Sequence, residues 1–61
     1  MEISRLVYKN HRIIELDNES IVYKSTFKIF DSSGKIIRKL KSRNSNITLN
    51  TCINFLDSMI K

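Results

Sequence analysis

The chain of 61 residues has a formal net charge of +5, with 41% hydrophobic and 28% charged residues. This balance is typical of a globular chain and excludes intrinsic disorder, and the single cysteine excludes an internal disulfide. A chain this short has room for one domain, residues 1–61, and buries only about 60% of the surface that its unfolded form exposes. Because small domains often gain burial from a second copy, a homodimer is allowed.

Two segments near the start alternate apolar and polar residues, which is typical of β-strands. They cover residues 2–9 and 11–16. The break at Lys9, Asn10 and His11 is either a hairpin turn or a bulge in one long strand. A polar turn at residues 17–20 follows.

Residues 21–30 and 35–43 predict a β-hairpin. The first segment is rich in β-branched and aromatic residues, and its odd positions, from Ile21 and Tyr23 to Ile29, form an apolar face. The connecting residues 31–34 are typical of a turn, because Asp31 can bond its own backbone and Gly34 can adopt positive φ.

Two registers are open for this hairpin. Phe27 lies opposite Arg38 in the first, whereas a bulge at Gly34 shifts the pairing by one residue and places Phe27 opposite Lys39. The first register is favoured because it separates apolar from basic residues. Its wetter face carries Lys24, Thr26, Lys28, Ile37, Lys39 and Lys41.

The last segment changes its hydrophobic period from two residues to three and four. Apolar residues recur at this spacing from Leu49 to Ile60, which predicts an amphipathic helix at residues 49–60 with Thr48 as its N-cap. The predicted fold class is therefore α+β: an antiparallel β-meander of three to four strands packed against one C-terminal α-helix.

The positive charge is concentrated in the middle of the chain. Seven basic residues stand between positions 24 and 43 against one acidic residue, Asp31. Such asymmetry favours a polyanionic or acidic partner. The predicted binding surface comprises Lys24, Thr26, Lys28, Lys39, Lys41 and Arg43.

This basic sheet face suggests two partner classes and one alternative without a partner. A three-stranded sheet with such a face can lie in a DNA major groove or along an RNA backbone, where lysines meet phosphates. The same charge suits an interaction module or inhibitor, of viral or plasmid origin, that docks on an acidic protein surface. Alternatively, the lysines only prevent edge pairing and keep the protein soluble.

No residue pattern indicates catalysis, a metal or a cofactor, so we expect a non-enzymatic protein. His11 is the only histidine, and we expect Cys52 to be buried on the helix stripe. The carboxylates Glu15, Asp17 and Glu19 cluster near a turn, and we expect them to be solvated.

Aromatic side chains are expected in both the core and the surface. Tyr23 and Phe27 share the predicted apolar face, whereas Tyr8 and Phe30 are the candidates for exposure and base stacking.

The expected location is the cytoplasm, without membrane contact. Cys52 as the lone cysteine suits a reducing compartment. No stretch is apolar enough to span a bilayer, and the first residues lack the pattern of a signal peptide.

Overall fold

A computed structural model of the chain describes residues 1–18 and 20–60. Its elements are β1 (Glu2–Tyr8), β2 (His11–Asp17), β3 (Ser25–Phe30), β4 (Ile36–Ser42) and α1 (Ser45–Met59). The strands form one antiparallel sheet in the order β1-β2-β3-β4, and α1 packs mainly against β3 and β4. The predicted α+β meander with a C-terminal helix is confirmed. Within the described ranges, no helix is long and apolar enough to cross a membrane.

A two-residue turn joins β1 to β2. Lys9 and Asn10 have φ angles of 49° and 62°, and Tyr8 pairs with His11 on either side of them. Positive φ at both central residues is what a type I′ hairpin turn requires. The break in the first sequence segment is therefore a hairpin turn, and the strands on either side are separate.

Strand β3 starts at Ser25, so the predicted start at residue 21 is wrong. Ser20 Oγ accepts a hydrogen bond of 3.1 Å from Val22 N, and Ile21 is exposed. This local side-chain bond satisfies a backbone donor that a strand would use in the ladder. Lys24 N still donates to Ser42 O over 2.8 Å, so the chain joins the sheet just before Ser25.

Both predicted registers of the β3–β4 hairpin are wrong, although the faces of the first are kept. Phe27 lies opposite Leu40, and the pairing shifts at a bulge beyond Ile29. The loop is longer than predicted because Asp31 Oδ1 accepts from Ser33 N and Lys35 N, at 2.9 and 3.0 Å. The register is displaced by two residues from the first prediction, and a two-residue shift preserves side-chain direction.

The bulge exchanges the places of two isoleucines. Ile36 lies opposite Phe30, whereas Ile37, which was predicted on the wetter face, packs against the core. The extra residue of a bulge breaks the alternation of side chains, so simple parity fails at this point.

The core lies between α1 and the sheet. Its buried members are Ile13, Phe27, Ile29, Cys52 and Leu56. The burial of Cys52 on the helix stripe is as predicted.

The helix begins earlier than its apolar spacing predicted. Asn44 is the N-cap: its Oδ1 accepts from Asn46 N and Ile47 N, at 3.0 and 3.3 Å. Thr48 is buried in the first turns, so its predicted capping role is wrong. Because Asn satisfies first-turn amides as well as Thr does, the polar segment before Leu49 adds a turn of helix.

Candidate functional site

The helix covers one face of the sheet, and we call the opposite face the open face. Side chains alternate between the two faces along each strand, and the cross-strand pairs decide which residues share a face. By this pairing, the open face carries Glu2, Arg5, Val7, Arg12, Ile14, Leu16, Thr26, Lys28, Phe30, Ile36, Lys39 and Lys41.

Four of the six residues predicted as a binding surface lie together on the strands of the open face. Lys28 lies directly opposite Lys39, and Thr26 lies directly opposite Lys41. Both residues of β4 are exposed, while their partners on β3 are half-buried.

The other two predicted residues flank the strands at one end of the sheet. Lys24 immediately precedes β3 and Arg43 immediately follows β4, and both are exposed. They extend the basic surface beyond the last paired residues. Arg38, by contrast, lies on the helix side, where its guanidinium carbon is 4.8 Å from the centroid of the Phe55 ring.

Two arginines that the sequence prediction left out belong to the same surface. Arg5 lies opposite Ile14, and Arg12 lies opposite Phe30. Their segment is slightly acidic as a whole, which hid them in a count of charge along the chain. The signal that could have found them is the alternation of side chains along each strand. It separates the arginines from Glu15, which faces the helix, and leaves only Glu2, which is already paired.

Glu2 is the one acidic residue among the described residues of the open face, and it is already engaged. Its Oε1 lies 2.8 Å from a terminal guanidinium nitrogen of Arg5. This hydrogen bond lowers the pKa of the Glu2 carboxyl below its ordinary value. The remaining cations of the face therefore have no carboxylate opposite them within the described strands.

Tyr23 was predicted in the core, and the structure places it beside the basic residues instead. Its ring centroid lies 5.5 Å from Lys41 Nζ and 5.4 Å from the guanidinium carbon of Arg43. Both distances are within the range of a cation–π contact. The alternation of β3 does not extend to Tyr23, which explains the error. Phe30, predicted as exposed, is half-buried on the open face.

Glu15 was expected to be solvated, but it is buried on the helix side. Its Oε2 accepts from Ser25 Oγ at 2.7 Å and from Ser45 Oγ at 2.6 Å, and its Oε1 accepts from Ser4 Oγ at 3.0 Å. Burial alone raises the pKa of this carboxyl, but the three hydroxyl donors together lower it below the ordinary value. Asp17 is exposed, and Glu19 lies outside the described residues.

A second polar cluster ties the first hairpin to the end of the helix. Asp57 Oδ1 accepts from Tyr8 Oη at 2.7 Å and lies 2.7 Å from Lys9 Nζ. The hydrogen bond to Asp57 raises the pKa of Tyr8, and the two partners lower that of Asp57. His11 Nδ1 lies 2.8 Å from Lys9 O, next to the turn that joins β1 to β2. Tyr8 therefore packs against the core on the helix side, and Lys9 forms an ion pair with the helix.

The described surface is otherwise plain. Across residues 1–18 and 20–60 there is no pocket and no group of three or more His, Cys, Asp or Glu side chains that could hold a metal. Comparisons of the chain with protein families, with curated protein sequences and with solved structures find no match.

Proposed function

We propose that this is a non-enzymatic protein of the cytoplasm that binds nucleic acid through its open face. The observation that carries the proposal is the charge of that face and its end. Seven cations gather there, and one of them, Arg5, is already paired with Glu2; the other six are Arg12, Lys24, Lys28, Lys39, Lys41 and Arg43. Cations that neutralise phosphates release condensed counterions, and this release drives binding without need of a pocket.

The arrangement of the lysines favours binding over a role in solubility alone. Lys28 and Lys39 are directly opposite each other, and like charges at such positions destabilise a sheet. A surface whose charges serve only solubility usually mixes positive and negative side chains. Such a surface would here have a glutamate opposite one of the two lysines. The repulsion is relieved when a polyanion lies across the pair.

Docking on an acidic protein surface is the alternative, and it would use the same cations. The two functions differ in their response to generic nucleic acid. A phosphate-binding face binds oligonucleotides of any sequence, with an affinity that falls steeply with salt. A protein-specific face does not bind them at all.

The experiment is a fluorescence-anisotropy titration of labelled DNA and RNA at several salt concentrations. We compare the wild-type protein with Lys39→Gln and with the control Lys35→Gln, which removes the same charge from the exposed loop. Loss of one phosphate contact lowers the slope of log K against log salt by about 0.7–0.9. We expect this for Lys39→Gln and an almost unchanged slope for Lys35→Gln.

Two outcomes would contradict the proposal. Absence of binding to both DNA and RNA at low salt removes nucleic acid as the partner. Equal effects of the two substitutions would show that net charge, rather than the open face, is responsible.

A further inference from the structure

We infer that the open face takes an unpaired nucleic-acid strand, with bases against its apolar residues and phosphates against its lysines. This inference rests on the proposed function and narrows it to one class of nucleic acid. Charge alone does not explain the apolar part of the open face.

In two rows of the open face, an aliphatic side chain of β2 lies beside basic side chains of the neighbouring strands. Ile14 on β2 lies opposite Lys28, which lies opposite Lys39 on β4. The neighbouring row runs in the same way from Leu16 through Thr26 to Lys41. Each row therefore passes from an aliphatic side chain to an ammonium group across about 9–10 Å of sheet.

Aromatic side chains stand at both ends of this surface. Phe30 lies at the loop end of β3, opposite Arg12 and Ile36. Tyr23 lies at the other end, against Lys41 and Arg43. Aromatic side chains interleaved with cations are the arrangement on which unpaired bases stack, because every base has a π-face.

A duplex does not suit this surface. The axes of the outer strands of a four-stranded sheet are about 14 Å apart, and their side chains add to that width. The major groove of B-DNA is about 12 Å wide and admits a helix or a two-stranded ribbon. Insertion of this sheet into the groove, expected for a three-stranded sheet, is therefore disfavoured. A duplex lying flat would offer phosphates to the lysines but no base faces to Ile14, Leu16 and Phe30.

A second copy of the chain does not suit it either. Two open faces brought together would place their lysines and arginines against each other, with Glu2 as the one carboxylate in each described face. The positive charge of the face therefore favours a polyanion. Its apolar residues favour a nucleic acid whose bases are unpaired.

The experiment compares oligothymidylate and oligouridylate with a DNA duplex of the same length. We expect the single strands to bind more tightly and to retain more affinity at high salt, where the phosphate contribution is screened. The test variants are Phe30→Leu and Tyr23→Leu, which keep an apolar side chain but remove the ring. The matched control is Phe55→Leu, whose ring packs on Arg38 at the helix side.

Loss of a stacked ring lowers single-strand affinity by roughly 5- to 150-fold. We expect this range for Phe30→Leu and for Tyr23→Leu, with an unchanged salt slope, and no such loss for Phe55→Leu. Circular dichroism confirms that each variant is folded. A direct signal comes from Tyr23 in a Tyr8→Phe background, since stacking on a base quenches the fluorescence of the remaining tyrosine.

The possible failures are distinguishable. Equal affinity for single strands and duplex, with no effect of the ring deletions, would overturn the inference and leave the proposed function standing. Absence of binding to every oligonucleotide would overturn both. A dimer in sedimentation that Phe30→Leu dissociates would show that a second copy occupies the face, and would also overturn the inference.

Discussion

Glu15 is a buried carboxylate held by hydroxyl groups rather than by a cation. Ser4, Ser25 and Ser45 bring donors to it from two strands and the first residue of the helix. The adjoining helix N-terminus also favours a negative charge. Ser42, the cross-strand partner of Ser25, is equally buried, but its Oγ has no hydrogen-bond partner among the described residues.

The two paired serines should respond to the same substitution in opposite ways. Ser25→Ala removes a hydrogen bond to a charged group, so we expect the free energy of unfolding to fall by about 1.5–3 kcal/mol. Ser42→Ala removes an unpaired buried hydroxyl, so we expect the stability to stay equal or to rise. Urea denaturation followed by circular dichroism measures both. A larger loss in Ser42→Ala than in Ser25→Ala would contradict the assignment of donors.

Glu15 should also contribute to the pH dependence of stability. Its pKa in the folded protein is below the ordinary value of 4.5, so the unfolded state binds the proton first as the pH falls. The contribution is therefore complete above pH 4.5 and is lost as the pH falls through the folded-state pKa.

The measurement is the difference between wild type and Glu15→Gln in stability against pH. Other carboxyls with lowered pKa values, such as Asp31 and Asp57, remain in both proteins and cancel in the difference. We expect the advantage of the wild type to shrink on acidification. An advantage that is constant from neutral to acidic pH would show that the carboxylate is not the stabilised form.

At the scale of elements, the capping of α1 is set by Asn44. We expect Asn44→Ala to lower the free energy of unfolding by about 0.5–2 kcal/mol, because two first-turn amides lose their acceptor. The control is Asn50→Ala at an exposed position inside the helix, where alanine is the better helix former. Thermal unfolding compares the two variants. Equal destabilisation would argue against a specific cap.

The strands and the helix could be predicted from the sequence because apolar residues recur every two residues in the strands and every three or four in the helix. Few residues depart from these periods. The register of the β3–β4 hairpin does not, because it depends on the bonds that Asp31 makes within the loop and on the bulge at Ile37. The loop is one residue longer than predicted, and the bulge shifts the pairing by one residue more. The total shift of two residues leaves the lysines on the predicted face. The face that carries the lysines was therefore predictable, although their cross-strand partners were not.

The rest of the candidate site was hidden for a related reason. Arg5 and Arg12 join the middle segment only when the first hairpin is placed in register beside it. Tyr23 joins it because the chain leaves strand geometry before β3. Such contacts depend on how the strands are placed beside each other in the fold. Neither the distribution of charge along the sequence nor the alternation of apolar residues gives that placement.

At the scale of the whole molecule, stability and binding are opposed on the open face. Removing the charge of Lys39 relieves its repulsion with Lys28, so we expect Lys39→Gln to raise the free energy of unfolding by about 0.2–1 kcal/mol at low salt. The same variant is expected to bind nucleic acid less tightly. Added salt should reduce the gain, since it screens the repulsion in the wild type. A gain that is independent of salt would point to packing instead.

Because Cys52 is buried, the rate at which its thiol is labelled reports how often the helix separates from the sheet. The thiol is shielded by the sheet and the helix, and burial raises its pKa, so a thiol reagent reacts only when α1 leaves the sheet. Because the open face is on the other side of the sheet, a bound strand never touches this sulfur. A ligand that holds β3 and β4 together should nevertheless slow the labelling of Cys52, so the rate of a chemical reaction in the core would report occupancy at the surface.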